Sequence, residues 1–306
     1  MSGLCILCPG QGGQRAGMLD LAAATPAGAE AIRRASAASG LELAALSRGG
    51  PGAFRNAVAQ PLLCAVQYAT WAALRDAVPR PRVVAGYSLG ELAAYGCAGA
   101  LGAEDLVALA ARRAAAMDAA ARGAGGLLGV RGIPLARTEA IARAAGAAVA
   151  ILNGPDHAVV GGPDAALRAV EAEAGAAGAR VQRLPVDVPA HTPALRAAVE
   201  PFAEALGRSA LRDPEVPVLA GISGEPVRDR AAAVCALSRQ LAERVEWGRC
   251  LAAASELGCT VFLELGPGAA LARMVEEALP GADVRSVDEF RTAAGVARWV
   301  KARLRA

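Results

Sequence analysis

The sequence predicts an α/β protein with a mostly parallel sheet, on three observations. Short β-branched runs alternate with Ala-rich helical stretches along the chain, and such alternation places helices on both faces of a parallel sheet. One run ends in Gly-x-Ser-x-Gly at residues 86–90 and opens at once into helical sequence. Residues 124–188 follow the order β-α-β-β-α-β, which is a ferredoxin-like arrangement. We therefore expect a discontinuous large domain, 1–123 and 189–306, with a small α+β subdomain inserted at 124–188.

The first half of the large domain begins with a strand and a glycine-rich loop. Residues 4–7 predict a core strand, and residues 8–14 are too rich in glycine for a helix or a strand. This loop lacks the glycine spacings that bind phosphate or dinucleotides. Its glycines either let backbone N–H groups approach a reacting oxygen or form an ordinary β–α turn. The remaining predictions here are helical sequence at 19–45, a helix at 60–77 starting at Gln60-Pro61, a strand at 82–85 and a helix at 103–122.

The insert and the second half of the large domain follow. In the insert we predict strands at 127–130, 147–152, 157–160 and 180–186, with helices at 135–145 and 164–177. An irregular segment then leads to a helix at 194–206. We expect the chain to finish with a strand at 216–222, helices at 231–244 and 248–257, a strand at 260–265, a helix at 269–279, a strand at 284–287 and a helix from Thr292.

Composition excludes several classes of function. The 306 residues are 54% apolar with a net charge of +3, but no apolar run reaches the ~20 residues that span a membrane. Residues 4–8 are too short for a signal-peptide core and lack a basic flank. Lys301 is the only lysine, and no basic block or aromatic–basic pattern indicates binding to nucleic acid. We expect a soluble, cytoplasmic protein that binds neither membrane nor nucleic acid.

The seven cysteines are scattered and odd in number, unlike a disulfide framework. Cys5 and Cys8 have the spacing of a redox or metal pair, but both lie in the first predicted strand, where residues three apart point to opposite faces. No second cysteine pair accompanies them, and the only histidines are His157 and His191. We predict buried apolar cysteines and no metal site.

Ser88 is the candidate nucleophile. A strand that runs into Gly-x-Ser-x-Gly and then a helix is the pattern of a nucleophile elbow. Gly86 and Gly90 lack the Cβ atoms that would clash in its sharp turn. The pattern places the Ser88 hydroxyl at the top of the sheet, beside the positive end of a helix.

Serine needs a positioned base to become a good nucleophile at neutral pH. His157 begins a strand of the insert, which favours a structural role. His191 follows a proline-interrupted segment where the chain re-enters the large domain, and catalytic bases are often held in such loops. We predict a Ser88–His191 pair. Its third member stays open between a carboxylate from Asp118, Asp156 or Asp164 and a backbone carbonyl that fixes the imidazole tautomer.

Over nearly its whole length the chain resembles the malonyl-CoA:acyl-carrier-protein transacylases and the related polyketide-synthase acyltransferase domains. That family has a hydrolase-like α/β domain with a ferredoxin-like insert, in agreement with the element order above. The resemblance rests on motifs in a fixed order: Pro9-Gly10-Gln11-Gly12, Gln60-Pro61, residues 86–91, Arg113 with Met117, Asn153, Pro189-Ala190-His191, and Glu264-Leu265-Gly266-Pro267-Gly268.

The resemblance implies a role for each matching residue. Ser88 would carry the acyl group as an ester, with His191 as base and then acid. Backbone N–H groups of Gln11 and Leu89 would form the oxyanion hole. In the substrate pocket Arg113 would pair with the malonyl carboxylate, and the other lining residues would be Gln60, Met117 and Asn153. The resemblance further implies malonyl-CoA as substrate, the prosthetic-group thiol of an acyl carrier protein as acceptor, and no bound cofactor.

Two positions depart from the family pattern. Tyr87 replaces the usual histidine before the nucleophile, and Glu243 stands where the family has asparagine ahead of Val-x-Trp. The resemblance implies that the main-chain carbonyl of Glu243 orients His191.

The Gly-Tyr-Ser form, together with Asp288-Glu289-Phe290-Arg291, most resembles the malonyltransferase subunit of malonate decarboxylase, which would make other decarboxylase subunits partners. The alternatives are a transacylase of fatty-acid or polyketide synthesis, a thioesterase or esterase, and a non-catalytic scaffold subunit.

Overall fold

The larger sheet brings three loops together at one edge. The computed structural model describes residues 2–49 and 51–305. Six strands lie in the order β10-β9-β1-β2-β7-β8, all parallel except for the β7–β8 pair. They are β1 (Gly3–Cys8), β2 (Val83–Gly86), β7 (Val218–Leu219), β8 (Pro226–Val227), β9 (Cys259–Glu264) and β10 (Asp283–Ser286).

Register places the carboxyl ends of the three central strands side by side. Cys8 pairs with Gly86, and Leu7 pairs with Glu264. The glycine-rich loop after β1, the elbow after β2 and the loop after β9 therefore start from one line across the sheet. This edge is where ligands bind in open parallel sheets.

Helices cover this sheet and form a second apolar cluster beyond it. They are α1 (Asp20–Ala23), α2 (Pro26–Ser39), α3 (Leu43–Leu46), α4 (Asn56–Leu74), α5 (Leu89–Cys97), α6 (Ala103–Ala120), α9 (Val199–Gly207), α10 (Arg230–Arg239), α11 (Trp247–Glu256), α12 (Ala270–Ala278) and α13 (Ala293–Arg305). Short 3-10 turns occupy Pro51–Phe54, Pro193–Ala198 and Val287–Glu289. The second cluster joins α2, α4 and α6 through residues such as Ala31, Leu62 and Val107.

The inserted subdomain has its own sheet and its own core. Strands β3 (Gly125–Arg131), β4 (Ala148–Gly154), β5 (His157–Pro163) and β6 (Arg180–Arg183) pair antiparallel in the order β4-β5-β3-β6. Helices α7 (Leu135–Ala145) and α8 (Asp164–Ala176) pack on each other and on this sheet. The element order matches the ferredoxin-like order read from the sequence. The domain boundaries at 124 and 188 stay a prediction.

The mixed α/β class with a mostly parallel sheet is confirmed, and so is the burial of Cys5 and Cys8, which are fully inaccessible. Helix α4 starts one turn before the predicted Gln60-Pro61 start, so Pro61 lies inside it. By length and composition α4 is apolar enough to span a membrane, but 83% of that window is buried inside the fold. This burial outweighs the hydrogen bond that Pro61 cannot make.

Several other boundaries were predicted too long. The helical stretch 19–45 is three separate helices, and the strand predicted at 216–222 keeps only Val218–Leu219. The short strand β8 was not foreseen. Helix α10 ends at Arg239 rather than at residue 244 because the backbone beyond it has other partners. The Leu241 carbonyl accepts from the N–H of His191, and Val245 exchanges hydrogen bonds with β4.

We expect Gly90→Ala to destabilise the protein. A Cβ atom at Gly90 would lie 1.9 Å from the carbonyl oxygen of Cys8, so β1 and α5 would have to separate. Overpacking of this kind costs about 1–3 kcal/mol, occasionally more. Urea titration measures the loss in the free energy of unfolding. The control is Gly175→Ala in α8, where a Cβ meets nothing within 4 Å and alanine favours the helix. Equal stability of the two variants would contradict the close packing of the elbow.

Candidate active site

Ser88 sits at the elbow that the sequence predicts. It has φ 55° and ψ −115° and directly precedes α5. A Cβ at Gly86 would lie 2.2 Å from the N of Glu91, so only glycine fits on that side of the turn. The Tyr87 N–H donates to the Cys8 carbonyl at 2.9 Å, which ties the elbow to β1. The neighbouring structure thus holds Ser88 at a positive φ that a non-glycine residue rarely adopts.

His191 is the second residue held at positive φ, at 62°, and among the described residues no other non-glycine shares this conformation with Ser88. Its Nε2 lies 2.6 Å from the Ser88 Oγ, and its Nδ1 lies 2.6 Å from the backbone carbonyl of Gln240. A carbonyl only accepts, so Nδ1 carries the proton and Nε2 is left to accept from the Ser88 hydroxyl. The structure brings the predicted pair together in the protonation state that a general base requires.

The carbonyl that orients His191 belongs to Gln240, and the prediction of Glu243 was wrong. Helix α10 ends at Arg239, so the Gln240 carbonyl is released toward the imidazole. Glu243 lies one turn further on, where its half-exposed side chain pairs with Arg239 at 2.8 Å. Of the two alternatives for the third member, the backbone carbonyl is therefore the one observed. Two of the candidate carboxylates bond elsewhere: Asp118 accepts from Asn56, and Asp164 pairs with Arg183.

Burial sets the charge of this site. Desolvation lowers the pKa of His191 from 6.5 to about 3, the positive charge of Arg113 adds to this, and the hydrogen bond to Gln240 opposes it. The imidazole is therefore neutral throughout the physiological range. A neutral imidazole can take the Ser88 proton without first losing one of its own.

The glycine-rich loop lies against the elbow. A Cβ at Gly10 would lie 3.0 Å from the Tyr87 carbonyl and 3.7 Å from the Cβ of Ser88. Gln11 follows in the chain. On the other side Leu89 is the first residue of α5, where N–H groups have no intrahelical acceptor. The N–H groups of Gln11 and Leu89 thus belong to two segments that flank Ser88, and their role as an oxyanion hole stays a prediction.

Arg113 is buried beside this pair and is held by neutral groups. It is 1% exposed. Its Nη1 donates to Gln60 Oε1 at 3.0 Å and contacts the Met117 sulfur at 3.3 Å, and its Nη2 donates to Gln240 Oε1 at 3.1 Å. Burial lowers the pKa of Arg113 to about 10, so it stays charged at neutral pH. Within the described part of the chain no carboxylate forms an ion pair with it.

Asn153 lies apart from this cluster. Its Nδ2 is 3.3 Å from Nε2 of His157, and among the described residues its buried Oδ1 has no hydrogen-bond partner. The ring of Tyr87, the residue before the nucleophile, packs edge-on against Trp247, with centroids 5.3 Å apart. Within the described part of the chain Asn153 makes no hydrogen bond to Arg113 or His191. A substrate-binding role for it stays a prediction.

A cleft of about 600 Å³ adjoins His191 from the side of the inserted subdomain. Its other walls come from α7, from the start of β4 and from the segment after α10, including Glu139, Arg244 and Glu246. Neither Ser88 nor Arg113 lines it. We therefore do not assign the acyl group to this cleft.

Sequence reasoning missed the residue that joins these groups, Gln240. It is fully buried. Its carbonyl accepts from His191, its Oε1 accepts from Arg113, and its Nε2 donates to the Ser88 carbonyl at 3.1 Å and to Glu91 Oε2 at 2.5 Å. A glutamine near the end of an Ala-rich helix gives no signal in one sequence. Glu91 was read only as part of a motif, without a role.

Comparisons with known proteins identify the family of this chain. A family model described as an acyl transferase domain matches residues 6–302. The chain belongs to the acyl transferase domain family. A malonyl CoA-acyl carrier protein transacylase from Mycobacterium bovis is 35% identical over 295 residues, covering 93% of this chain and 96% of the relative.

Two solved structures share the acyl transferase fold. A malonyl CoA-acyl carrier protein transacylase from Coxiella burnetii superposes with a TM-score of 0.91 at 29% identity, covering 98% of this chain and 97% of the other. The second is a malonyl-transacylase solved in complex with a type II polyketide-synthase acyl-carrier protein, with a TM-score of 0.90 at 27% identity. It covers 97% of this chain and 99% of its own.

The depressed pKa of His191 makes a testable contribution to stability. In the unfolded chain His191 is protonated below about pH 6.5, whereas in the folded protein it stays neutral down to about pH 3. The free energy of unfolding therefore falls with pH in this window, by about 1.4 kcal/mol per pH unit from this residue. Urea titrations at pH 6 and pH 4.5 measure this fall. Between these two pH values the free energy of unfolding of the wild type should decrease by about 2 kcal/mol more than that of His191→Asn.

Asparagine is the matched replacement because it tolerates positive φ and can donate to the Gln240 carbonyl. Glu91 and Glu264 act in the opposite direction, since burial raises the pKa of each to about 7. Both carboxyls are present in the wild type and the variant, so their contributions cancel in the comparison. Equal losses for the two proteins would show that His191 titrates normally in the fold.

Proposed function

We propose that this acyltransferase moves a malonyl group from CoA to the thiol of an acyl carrier protein through an ester on Ser88. The observation that carries the proposal is Arg113, a fully buried guanidinium beside the Ser88–His191 pair whose own partners are neutral. A buried charge without a counter-ion is costly. An acyl group with a free carboxylate supplies that counter-ion, and its geometry suits bidentate pairing with arginine. Acetyl groups offer nothing in its place.

The two half-reactions use the same pair of residues. In the first, the Ser88 Oγ attacks the thioester carbonyl while His191 Nε2 takes its proton, and the carbon–sulfur bond breaks as His191 returns the proton to the CoA sulfur. The N–H groups of Gln11 and Leu89 stabilise the oxyanion. In the second, the carrier thiol gives its proton to His191 and attacks the ester, and the Ser88 oxygen recovers the proton. No bound cofactor takes part.

We assign the acceptor to fatty-acid or polyketide synthesis rather than to malonate decarboxylase. The relatives described above are named malonyl-transacylases, and one was solved with its carrier protein. The decarboxylase hypothesis rested on Tyr87 and on the segment starting at Asp288. Tyr87 packs against Trp247, and Asp288 binds Arg15 and the N–H of Gly268. Both residues have partners inside this chain, so neither argues for a further subunit.

Transfer must be separated from hydrolysis, since the same elbow serves thioesterases. With malonyl-CoA and a carrier protein bearing a phosphopantetheine thiol, we expect malonyl on the carrier and little free malonate. His191→Ala should slow the transfer by at least about 10²-fold, the lower range of general-base assistance. Chromatography of thioesters and free acid measures both products. Release of malonate at one rate with and without the carrier would make the protein a thioesterase instead.

Arg113→Ala should remove the preference for malonyl over acetyl. Losing one partner of a buried hydrogen-bonded charge pair costs about 2–5 kcal/mol, which is at least roughly 30-fold in the ratio of kcat/KM values. The control is Arg112→Ala, which removes an exposed arginine from the same helix and should leave the ratio unchanged. Competition between malonyl-CoA and acetyl-CoA gives the ratio directly. A ratio that survives Arg113→Ala would place the malonyl carboxylate elsewhere.

A further inference from the structure

Glu91 is a buried carboxyl for which the proposed reaction has no use. It lies in the first turn of α5, three residues after Ser88, and is completely inaccessible. Its Oε2 accepts from Gln240 Nε2 at 2.5 Å and from the Gly221 N–H at 2.9 Å. Among the described residues no cation bonds it directly. Buried carboxyls without a cation are rare, because burial disfavours their charge.

The side-chain amide of Gln240 lies between Glu91 and the positively charged Arg113 and bonds both. Arg113 Nη2 donates to Gln240 Oε1, and Gln240 Nε2 donates to Glu91. A guanidinium can only donate, whereas Glu91 accepts at Oε2. The Gln240 amide can therefore satisfy both neighbours in one orientation alone, with its oxygen toward Arg113 and its NH₂ toward Glu91. Reversing the amide would set donor against donor at Arg113.

We propose that Glu91 is a positioning residue that fixes the Gln240 amide, so that Gln240 presents its oxygen to Arg113 and holds the guanidinium in place for the carboxylate of the acyl group. The proposal rests on the proposed function of Arg113 and adds a determinant of acyl selectivity that does not touch the substrate. It acts on Arg113 through the Gln240 side chain.

Removal of Glu91 would loosen the amide, because its NH₂ group would lose the shorter of its two hydrogen bonds. Gln240 Nε2 would keep only its 3.1 Å contact with the Ser88 carbonyl, and the Gly221 N–H would lose its acceptor. Arg113 would then depend on Gln60 and the Met117 sulfur to hold its position. The His191 imidazole would not be released, because it is held by the main-chain carbonyl of Gln240 rather than by the side chain. The effect should therefore fall on binding of the carboxylate and spare the chemistry.

The test compares KM and kcat for malonyl-CoA and acetyl-CoA in Glu91→Ala, Gln240→Ala and the double variant, with a carrier protein as acceptor. Glu91→Ala should raise the KM for malonyl-CoA about tenfold, as loosening one hydrogen bond to a charged group does. The kcat for malonyl and both constants for acetyl should stay within about twofold. Glu91→Gln still offers an oxygen to Gln240 and Gly221, so it should restore most of the malonyl KM.

The double variant supplies the sharpest outcome. If Glu91 acts through Gln240, the double variant should be no worse than Gln240→Ala, whereas independent sites add. Additive losses, or equal losses for malonyl and acetyl, would overturn the proposal. If Glu91→Ala does not fold, Glu91→Asp replaces it, because its carboxylate ends one methylene short of Gln240 and should give the same malonyl-specific rise.

The Arg113→Ala result separates the two hypotheses. Loss of acyl selectivity in Arg113→Ala but not in the Glu91 variants removes the role of Glu91 and keeps the proposed function. Retained selectivity in Arg113→Ala removes the role of Glu91 and also the role of Arg113, and it places the malonyl carboxylate elsewhere.

Discussion

The hydrogen bond from His191 to the backbone carbonyl of Gln240 is the interaction on which the site depends. It fixes the imidazole tautomer, so Nε2 is the atom left to face Ser88. It also satisfies a buried N–H that would otherwise be costly. The carbonyl is free for this because α10 stops at Arg239. In a helix that ran on to residue 244, the Gln240 carbonyl would instead accept from the N–H of residue 244.

The segment after α10 gives up helical hydrogen bonds for longer-range ones. The carbonyl of Leu241 accepts from the N–H of His191, and the backbone of Val245 forms hydrogen bonds with β4 of the inserted subdomain. The segment after α10 thus binds both His191 and the edge strand of the subdomain. Ser88 and His191 both have strained backbones, since each is held at positive φ.

Burial determines the protonation states of the charged and titratable groups in the site. Burial lowers the pKa of His191 and of Arg113 and raises that of Glu91, in each case against the charged form. Arg113 remains charged despite this, whereas His191 becomes neutral. The positive charge of Arg113 therefore favours the neutral, basic form of His191. One neutral amide, that of Gln240, spans the distance between Arg113 and Glu91.

The sequence predicts those features whose causes are local. The glycines around Ser88 follow from the shape of a tight turn, and the alternation of strands and helices follows from hydrophobic periodicity. His191 was found because histidines are few and this one lies in a loop. Gln240 was missed because its importance comes from where α10 ends, and that end is set by contacts with residues far away in the chain. Pro61 misled for a related reason, since packing extended α4 past a residue that usually marks a helix start.

Under the proposed function, Ser88 carries an acyl group that Arg113 selects. Incubation of the protein with malonyl-CoA or acetyl-CoA, without a carrier, followed by intact-mass measurement and peptide mapping, tests it most directly. We expect one malonyl adduct on the peptide that contains Ser88, little acetyl adduct, and no adduct in Ser88→Ala. An intact thioester with unmodified protein, or a malonyl adduct that persists in Ser88→Ala, would contradict it.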